Sequence, residues 1–140
     1  GVRGGMYHSH SFEGWASRLP GWKVVVPSTP LDGYGLMTSA ILDPNPVFVL
    51  LPKALLRVRG DELIPGEPAD PAELSRRIDA PVGDRAGWAP DWPPVERYEV
   101  PIGSAKRVRP GDAATVVTYG RYAPVCARAA DELLADDGLA

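Results

Sequence analysis

Two aliphatic runs on either side of a helix-like stretch dominate the first part of the chain. "WKVVVP" (Trp22–Pro27) and "VFVLL" (Val47–Leu51) are continuous apolar runs bounded by Gly or Pro, a pattern typical of strands buried on both faces. Between them, Thr29 fits a helix N-cap, Pro30 the first helical position and Asp32 the third. This order predicts a right-handed βαβ unit.

The helix of this unit carries an apolar stripe that is expected to face the core: Leu36, Met37, Ala40 and Ile41. Gly33 and Gly35 each weaken a helix by about 1 kcal/mol relative to alanine, so we expect them to permit close backbone approach. An earlier helix is predicted over residues 10–19, ending at Pro20 and Gly21. Its apolar face comprises Phe12, Trp15, Ala16 and Leu19.

Residues 58–97 are rich in Pro, Gly and charge and are interpreted as an insert or linker. Only "DPAELSRRI" is helix-like, with Asp70 as the cap and Pro71 in the first helical position. Trp88 and Trp92 are large apolar side chains, so we expect this segment to lie against a protein surface.

From Tyr98 onward the pattern indicates a second unit. An extended stretch ends in a turn at Pro110–Gly111, and "AATVVTYG" (Ala113–Gly120) predicts another buried strand. The helix that follows has Pro124 in its first turn and Gly138 just past its end. Its apolar face comprises Val125, Ala129, Leu133 and Leu134. The predicted organisation is therefore 1–57, 58–97 and 98–140.

Composition narrows the class of protein. The chain has 140 residues, one ordinary domain, and a net charge of −3, which does not favour nucleic acid or an anionic membrane as a partner. Its longest apolar run is too short for a membrane span. One cysteine, Cys126, allows no internal disulfide and favours a cytoplasmic setting. Both ends are abrupt, so we expect a piece of a longer protein.

"MYHSHSFEGW" holds the only two histidines, His8 and His10. On a strand the pair would point the same way and could bind zinc or copper, with a carboxylate such as Glu13 contributing. Alternatively, one histidine is bonded to backbone and the other faces solvent. In the third interpretation His8, which follows Gly4 and Gly5, lines a site, because glycines let a chain pass close to a ligand and imidazole exchanges protons near neutral pH.

Residues 6–57, from "MYHSHSFEGW" through "PGWKVVVPSTP" and "DPNP" to "PKALLR", resemble the beta subunit, or beta half, of thiamin-diphosphate-dependent 2-oxoacid dehydrogenases of the pyruvate and branched-chain types. "VPIGSAKRVRPGDAATVVTYGRYAPVCARAADELL" resembles the start of that family's transketolase-like C-terminal domain. The resemblance implies an α/β fold: part of a transketolase pyrimidine-binding domain followed by the first elements of the C-terminal domain.

The resemblance also implies an activity and an assembly. The reaction is oxidative decarboxylation of a 2-oxo acid with acyl transfer to lipoyl, and the family's active-site histidine falls on His8. An α2β2 or fused assembly shares thiamin diphosphate, with magnesium held by the alpha side. Expected partners are the alpha subunit or half and a lipoyl-bearing acyltransferase. The compartment is the cytoplasm, or the mitochondrial matrix in a eukaryote.

A potassium site is implied at the positions of Ala40, Asp43 and Asn45, where backbone carbonyls are suitable hard ligands; a turn without an ion is the alternative. Three positions depart from the family pattern. His10 replaces the usual Gln, Leu51 a Glu and Leu56 a Tyr.

The coenzyme-activating glutamate falls before Gly1 in the family's order, so this chain alone is expected to be inactive. A noncatalytic subunit-interaction module of the same fold is the alternative function. A metal-binding protein is a more remote one.

Overall fold

A computed structural model of the chain describes residues 4–83 and 86–138. Its first unit contains α1 (Glu13–Ala16), β1 (Lys23–Val25), α2 (Pro30–Leu42) and β2 (Val47–Val49). The later part contains α3 (Pro71–Ile78) and α4 (Tyr122–Asp137). Short 3-10 turns occupy Met6–His8 and Lys53–Leu55.

The two strands pair in parallel, with Lys23 opposite Val47 and Val25 opposite Val49. The amide of Leu50 extends the pairing by donating to the carbonyl of Val25 at 2.9 Å. A parallel pair needs a crossover connection, which α2 provides. The predicted βαβ unit and its α/β class are confirmed.

Helix α2 begins and ends where the local sequence predicts. Thr29 Oγ1 accepts a hydrogen bond from the amide of Asp32 at 3.0 Å, and Pro30 occupies the first helical position. The helix stops at Leu42, and Asp43 is extended with φ −73° and ψ 132°. A proline at 44 disfavours helical geometry in the residue before it.

The face by which α2 packs differs from the predicted stripe. Met37 and Ile41 are exposed, the latter by 76%, whereas Gly35 is buried. Segment 96–100 lies across this glycine, and the amide of Val100 donates to the carbonyl of Gly35 at 3.3 Å. The predicted stripe is therefore covered only in part, since Leu36 and Ala40 are half-buried. The closest packing is at Gly35, where the absence of a side chain lets the segment approach.

Two side-chain hydrogen bonds fasten the same segment to α2. Tyr34 Oη donates to the carbonyl of Glu96 at 2.9 Å, and Ser39 Oγ donates to the carbonyl of Val100 at 2.7 Å. The expectation that Gly35 permits close backbone approach is confirmed.

The predicted helix over 10–19 is wrong in length. Only Glu13–Ala16 is α-helical, and beyond it the amides of Arg18 and Leu19 bond three residues back. Gly14 lies inside the turn, and so short a helix gains few hydrogen bonds for its nucleation cost. Ala16 is 1% exposed, whereas Phe12 and Trp15 remain exposed.

Segment 58–97 is held by its backbone rather than by its tryptophans. Asp70 caps α3 as predicted, its Oδ1 accepting from the amide of Ala72 at 2.9 Å. The amide of Glu96 donates to the carbonyl of Pro65 at 2.7 Å. Trp92 is 69% exposed in this chain, so the expectation that the segment lies against a protein surface stays a prediction. Trp88 is also exposed, although less so.

The extended stretch from Tyr98 and the predicted strand over Ala113–Gly120 do not form strands. Neither belongs to a sheet in the ranges that the structure describes, and Val116 and Val117 are 70% and 88% exposed. Helix α4 is confirmed, and Gly138 ends it in the left-handed region with φ 67°. The predicted apolar face of α4 is largely uncovered. The boundaries at 57 and 97 stay a prediction.

The core of this chain is small. Among the described residues, the buried hydrophobic side chains are Ala16 and Val25. The accessible surface is 10775 Å², against roughly 7,000 Å² expected for a compact protein of this mass. In the described ranges, no helix combines the length and apolarity needed to cross a bilayer.

Candidate functional site

His8 ends the 3-10 turn over Met6–His8 and is exposed. Its amide donates to the carbonyl of Gly5 at 3.3 Å, and Gly5 has φ +76°. A Cβ placed on Gly4 would lie 3.0 Å from the Cβ of His8. The glycine pair therefore lets the chain turn tightly against the histidine and leave its ring accessible.

His10 lies two residues further on and is also exposed. Its ring packs beside that of Phe12, with centroids 5.3 Å apart and planes inclined at 32°. Neither histidine is on a strand, so the strand geometry considered for a metal-binding pair is wrong. Across residues 4–83 and 86–138, no group of three or more His, Cys, Asp or Glu side chains is arranged to hold a metal ion.

Glu13, at the start of α1 near the histidines, accepts hydrogen bonds from two other side chains. Ser11 Oγ lies 2.6 and 2.8 Å from its two carboxylate oxygens, and Tyr119 Oη donates to Oε1 at 3.2 Å. The Ser11 hydroxyl is the main cause that lowers the pKa of Glu13, followed by a backbone amide, while Tyr119 adds a smaller effect in the same direction. The Glu13 carboxylate in turn raises the pKa of Tyr119.

The next residue seats this tyrosine on the βαβ unit. Gly120 is buried with φ +56°, and a Cβ there would lie 3.1 Å from Val26 Cγ1 and 3.2 Å from Pro52 Cγ. Val26 and Pro52 follow β1 and β2, so the contact lies beyond the carboxyl ends of both strands. Ligand sites of open parallel sheets lie at this edge.

Sequence reasoning missed Tyr119, because its partner is 106 positions away and "TYG" was interpreted as the end of a strand.

The predicted potassium positions lie where α2 ends. Asp43 Oδ2 accepts from Lys23 Nζ at 2.6 Å, and Oδ1 accepts from the amide of Asn45 at 2.9 Å. These bonds, that of Lys23 first, lower the pKa of Asp43. The carboxylate is therefore committed to protein partners. The carbonyl of Ala40 has no helical partner, because residue 44 is proline and lacks an N–H.

Leu51 and Leu56, which the resemblance marks as departures, line the same open depression of about 220 Å³ between α2 and the turn after β2. Both leucines are exposed. The depression is therefore largely apolar, with Ser28 and Thr29 at its edge.

Comparison with known proteins connects these features. Residues 1–59 match the family described as "Transketolase, pyrimidine binding domain". The βαβ unit and the histidine turn lie within the residues that resemble this domain. No solved structure matches the chain.

The similarity to named proteins extends past the pyrimidine-binding domain. The chain is 35% identical over 136 residues to the 2-oxoisovalerate dehydrogenase subunit beta of Bacillus subtilis (strain 168), which covers 97% of this chain and 32% of that protein. It is 36% identical over 120 residues to the pyruvate dehydrogenase E1 component subunit beta of Acholeplasma laidlawii, or 86% and 28% of the two chains. The predicted resemblance to beta subunits is confirmed, and the chain spans about a third of the length of these relatives.

Proposed function

We propose that this chain is part of the beta side of a 2-oxoacid dehydrogenase decarboxylating component, with His8 as its catalytic residue. The observation that carries the proposal is an accessible imidazole held by Gly4 and Gly5 in a pyrimidine-binding domain. An acyl acceptor carried on a separate protein needs such access, which a buried histidine would deny.

The proposed chemistry of His8 is a proton transfer to lipoyl. When the dithiolane opens, its S–S bond breaks, one sulfur bonds the acyl carbon, and the other leaves as a thiolate. The two electrons come from oxidation of the aldehyde-level carbon left by decarboxylation. The departing sulfur leaves more easily when it receives a proton as the S–S bond breaks. An imidazolium is an effective donor of that proton near neutral pH.

Thiamin diphosphate, the coenzyme of this family, would stabilise the carbanion formed on loss of carbon dioxide. The described residues do not by themselves fit it, since none of their polar or charged side chains is buried. An aminopyrimidine needs enclosed polar partners. We therefore propose that the coenzyme and magnesium are held mainly by other polypeptide, including an alpha subunit or half. The lipoyl-bearing partner would approach His8 from solvent.

The end of α2 fits a potassium ion through its carbonyl donors. The carbonyl of Ala40 lacks its usual amide donor four residues on, because residue 44 is proline. Asp43 and Asn45 continue the turn. Carbonyl oxygens are suitable ligands for a hard cation. We propose that these three residues contribute to such a site and that it stabilises the turn.

The single cysteine supports a reducing compartment such as the cytoplasm.

The test is His8→Ala in the assembled dehydrogenase, assayed with a lipoyl domain and separately with an artificial electron acceptor. Loss of the proton donor is expected to slow lipoyl acylation by about 100-fold or more. Decarboxylation with the artificial acceptor should change far less. His10→Gln, which restores the family's usual residue, is the matched control and should lower the rate of lipoyl acylation far less than His8→Ala does. Equal loss of both activities in His8→Ala would refute the lipoyl role.

A noncatalytic subunit-interaction module is the second candidate, favoured by Leu51 and Leu56 in the apolar depression. In that case an assembly containing this chain would lack decarboxylation with either acceptor, and His8→Ala would change nothing. The same pair of assays therefore separates the two candidates.

A further inference from the structure

We propose that Tyr119 is a positioning residue that anchors the histidine loop (residues 6–12) to the strand ends of the βαβ unit, acting through Glu13. The proposal rests on the function proposed for His8 and adds a residue from the C-terminal part of the chain. The loop otherwise has little to hold it, because residues 4–12 are all exposed.

The anchor begins at Gly120. A side chain at this position would press on Val26 Cγ1 and Pro52 Cγ at 3.1 and 3.2 Å. The backbone of residue 120 is therefore in direct contact with the chain leaving β1 and the chain leaving β2. Its positive φ of 56° is a conformation that glycine adopts without strain. This contact fixes the place from which Tyr119 projects.

The connection to the loop runs through Glu13. Tyr119 Oη donates to Oε1 at 3.2 Å, while Ser11 Oγ reaches both oxygens of the same carboxylate. A carboxylate accepts several hydrogen bonds at once, so Glu13 joins the C-terminal segment to the last residues of the histidine loop. The lowered pKa of Glu13 agrees with a carboxylate stabilised by these donors.

From Glu13 the restraint passes back to the histidines. The amides of Trp15 and Ala16 both bond to the carbonyl of Phe12, and the Phe12 ring packs beside His10. Residues 10–13 thus form one connected piece beside His8. The hydrogen bond from Tyr119 to Glu13 restricts the positions that this piece can occupy. Correct placement of a catalytic group such as His8 can change a reaction rate by large factors.

The experiment uses Tyr119→Phe in the assembled dehydrogenase, which keeps the ring and removes only the hydroxyl. Hydrogen exchange at the amides of Trp15, Ala16 and Ser17 should become about threefold faster, as expected for the loss of one exposed hydrogen bond. The kcat for lipoyl acylation should fall by a similar factor, about threefold. The KM for the lipoyl domain and the rate with an artificial acceptor should stay unchanged.

Tyr122→Phe is the matched control. Tyr122 is exposed near the same segment, and its hydroxyl makes no hydrogen bond to the rest of the described chain. It should leave exchange and kcat unaltered. In a Glu13→Ala background, Tyr119→Phe should have no further effect, because a residue that acts through Glu13 loses its influence when Glu13 is removed.

Unchanged exchange in Tyr119→Phe would overturn the proposal, as would a fall in kcat that is equal with both acceptors. An effect that persists without Glu13 would also overturn it. Failure of the His8 role is recognised separately, by a silent His8→Ala. In that case amide hydrogen exchange in Tyr119→Phe still tests whether Tyr119 anchors the histidine loop. Faster exchange supports the anchoring, and unchanged exchange refutes it.

Discussion

Two valine-rich runs in this chain have similar patterns and different structures. Lys23–Val25 forms a strand paired along its length with Val47–Val49, and Val25 is 8% exposed. Val116 and Val117, also in a continuous apolar run, pair with nothing in the part of the chain that the structure describes. The comparison shows that an apolar run specifies the ability to form a strand, while a partner at the right place decides whether one forms.

The first run has its partner within reach. A crossover helix begins at Thr29 and Pro30, and the second run follows its end, so both edges of the pairing lie in one βαβ unit. Within the part of the chain that the structure describes, the second run has no strand to pair with. A strand without a neighbour leaves its amides and carbonyls unpaired, and burying them would be costly. Its backbone is therefore exposed here.

The largest expected effect on stability comes from disturbing the packing of residues 98–100 on α2. In Gly35→Ala the new Cβ would lie 2.6 Å from Val100 Cγ2 and 2.8 Å from the Tyr98 ring. We expect the free energy of unfolding in urea to fall by about 2 kcal/mol, because the segment must move away.

Gly33→Ala is the matched control in the same helix. Its Cβ would meet only Pro27 Cβ, at 4.0 Å, so the gain in helix propensity should stabilise the chain by up to about 1 kcal/mol. Opposite signs for the two substitutions would show that residues 98–100 are packed on α2, in contrast to the exposed Val116 and Val117. Equal gains at both glycines would show that the segment does not rest on α2.

A smaller effect concerns the ion pair that closes the βαβ unit. Lys23 and Asn45 lower the pKa of Asp43, so the folded state favours the charged carboxylate. Its contribution to stability is present above the ordinary aspartate pKa of about 4 and is lost as the pH falls below it.

In Lys23→Met, the melting temperature should therefore fall below that of the parent near neutral pH. The two curves should converge as the pH is lowered toward about 2. Lys53→Met, which removes a lysine without an ion pair among the described residues, should follow the parent at every pH. A constant offset between parent and Lys23→Met would exclude the ion pair as its cause.

Local signals predicted the first unit well and the chain's packing poorly. The cap at Thr29, the two strands, α3 and the glycine end of α4 depend on neighbouring residues, and the structure reproduces them. The buried face of α2 depends on segment 96–100, more than fifty residues away in sequence. The periodicity of α2 alone therefore did not identify Gly35 as the point of closest packing.

The candidate site shows the same contrast between local features, which the sequence predicts, and long-range contacts, which it does not. The exposed turn at His8 follows from adjacent glycines, and the family resemblance on residues 6–57 rested on contiguous motifs. The link from Tyr119 to Glu13 could not be predicted, since nothing in either stretch identifies the other. Within segment 58–97, backbone hydrogen bonds to the carbonyls of Pro65 and Arg77 connect distant parts of the segment, and no local sequence signal identifies these pairs.

The most direct test of the comparison is residue-level hydrogen exchange on this chain. The amides of Lys23 and Leu50, bonded to Pro46 and Val25 at 3.0 and 2.9 Å, should exchange about 100-fold or more slowly than those of Val116 and Val117. Equal protection at the two valine runs would contradict the account, because it would mean that the second run has a partner within the chain.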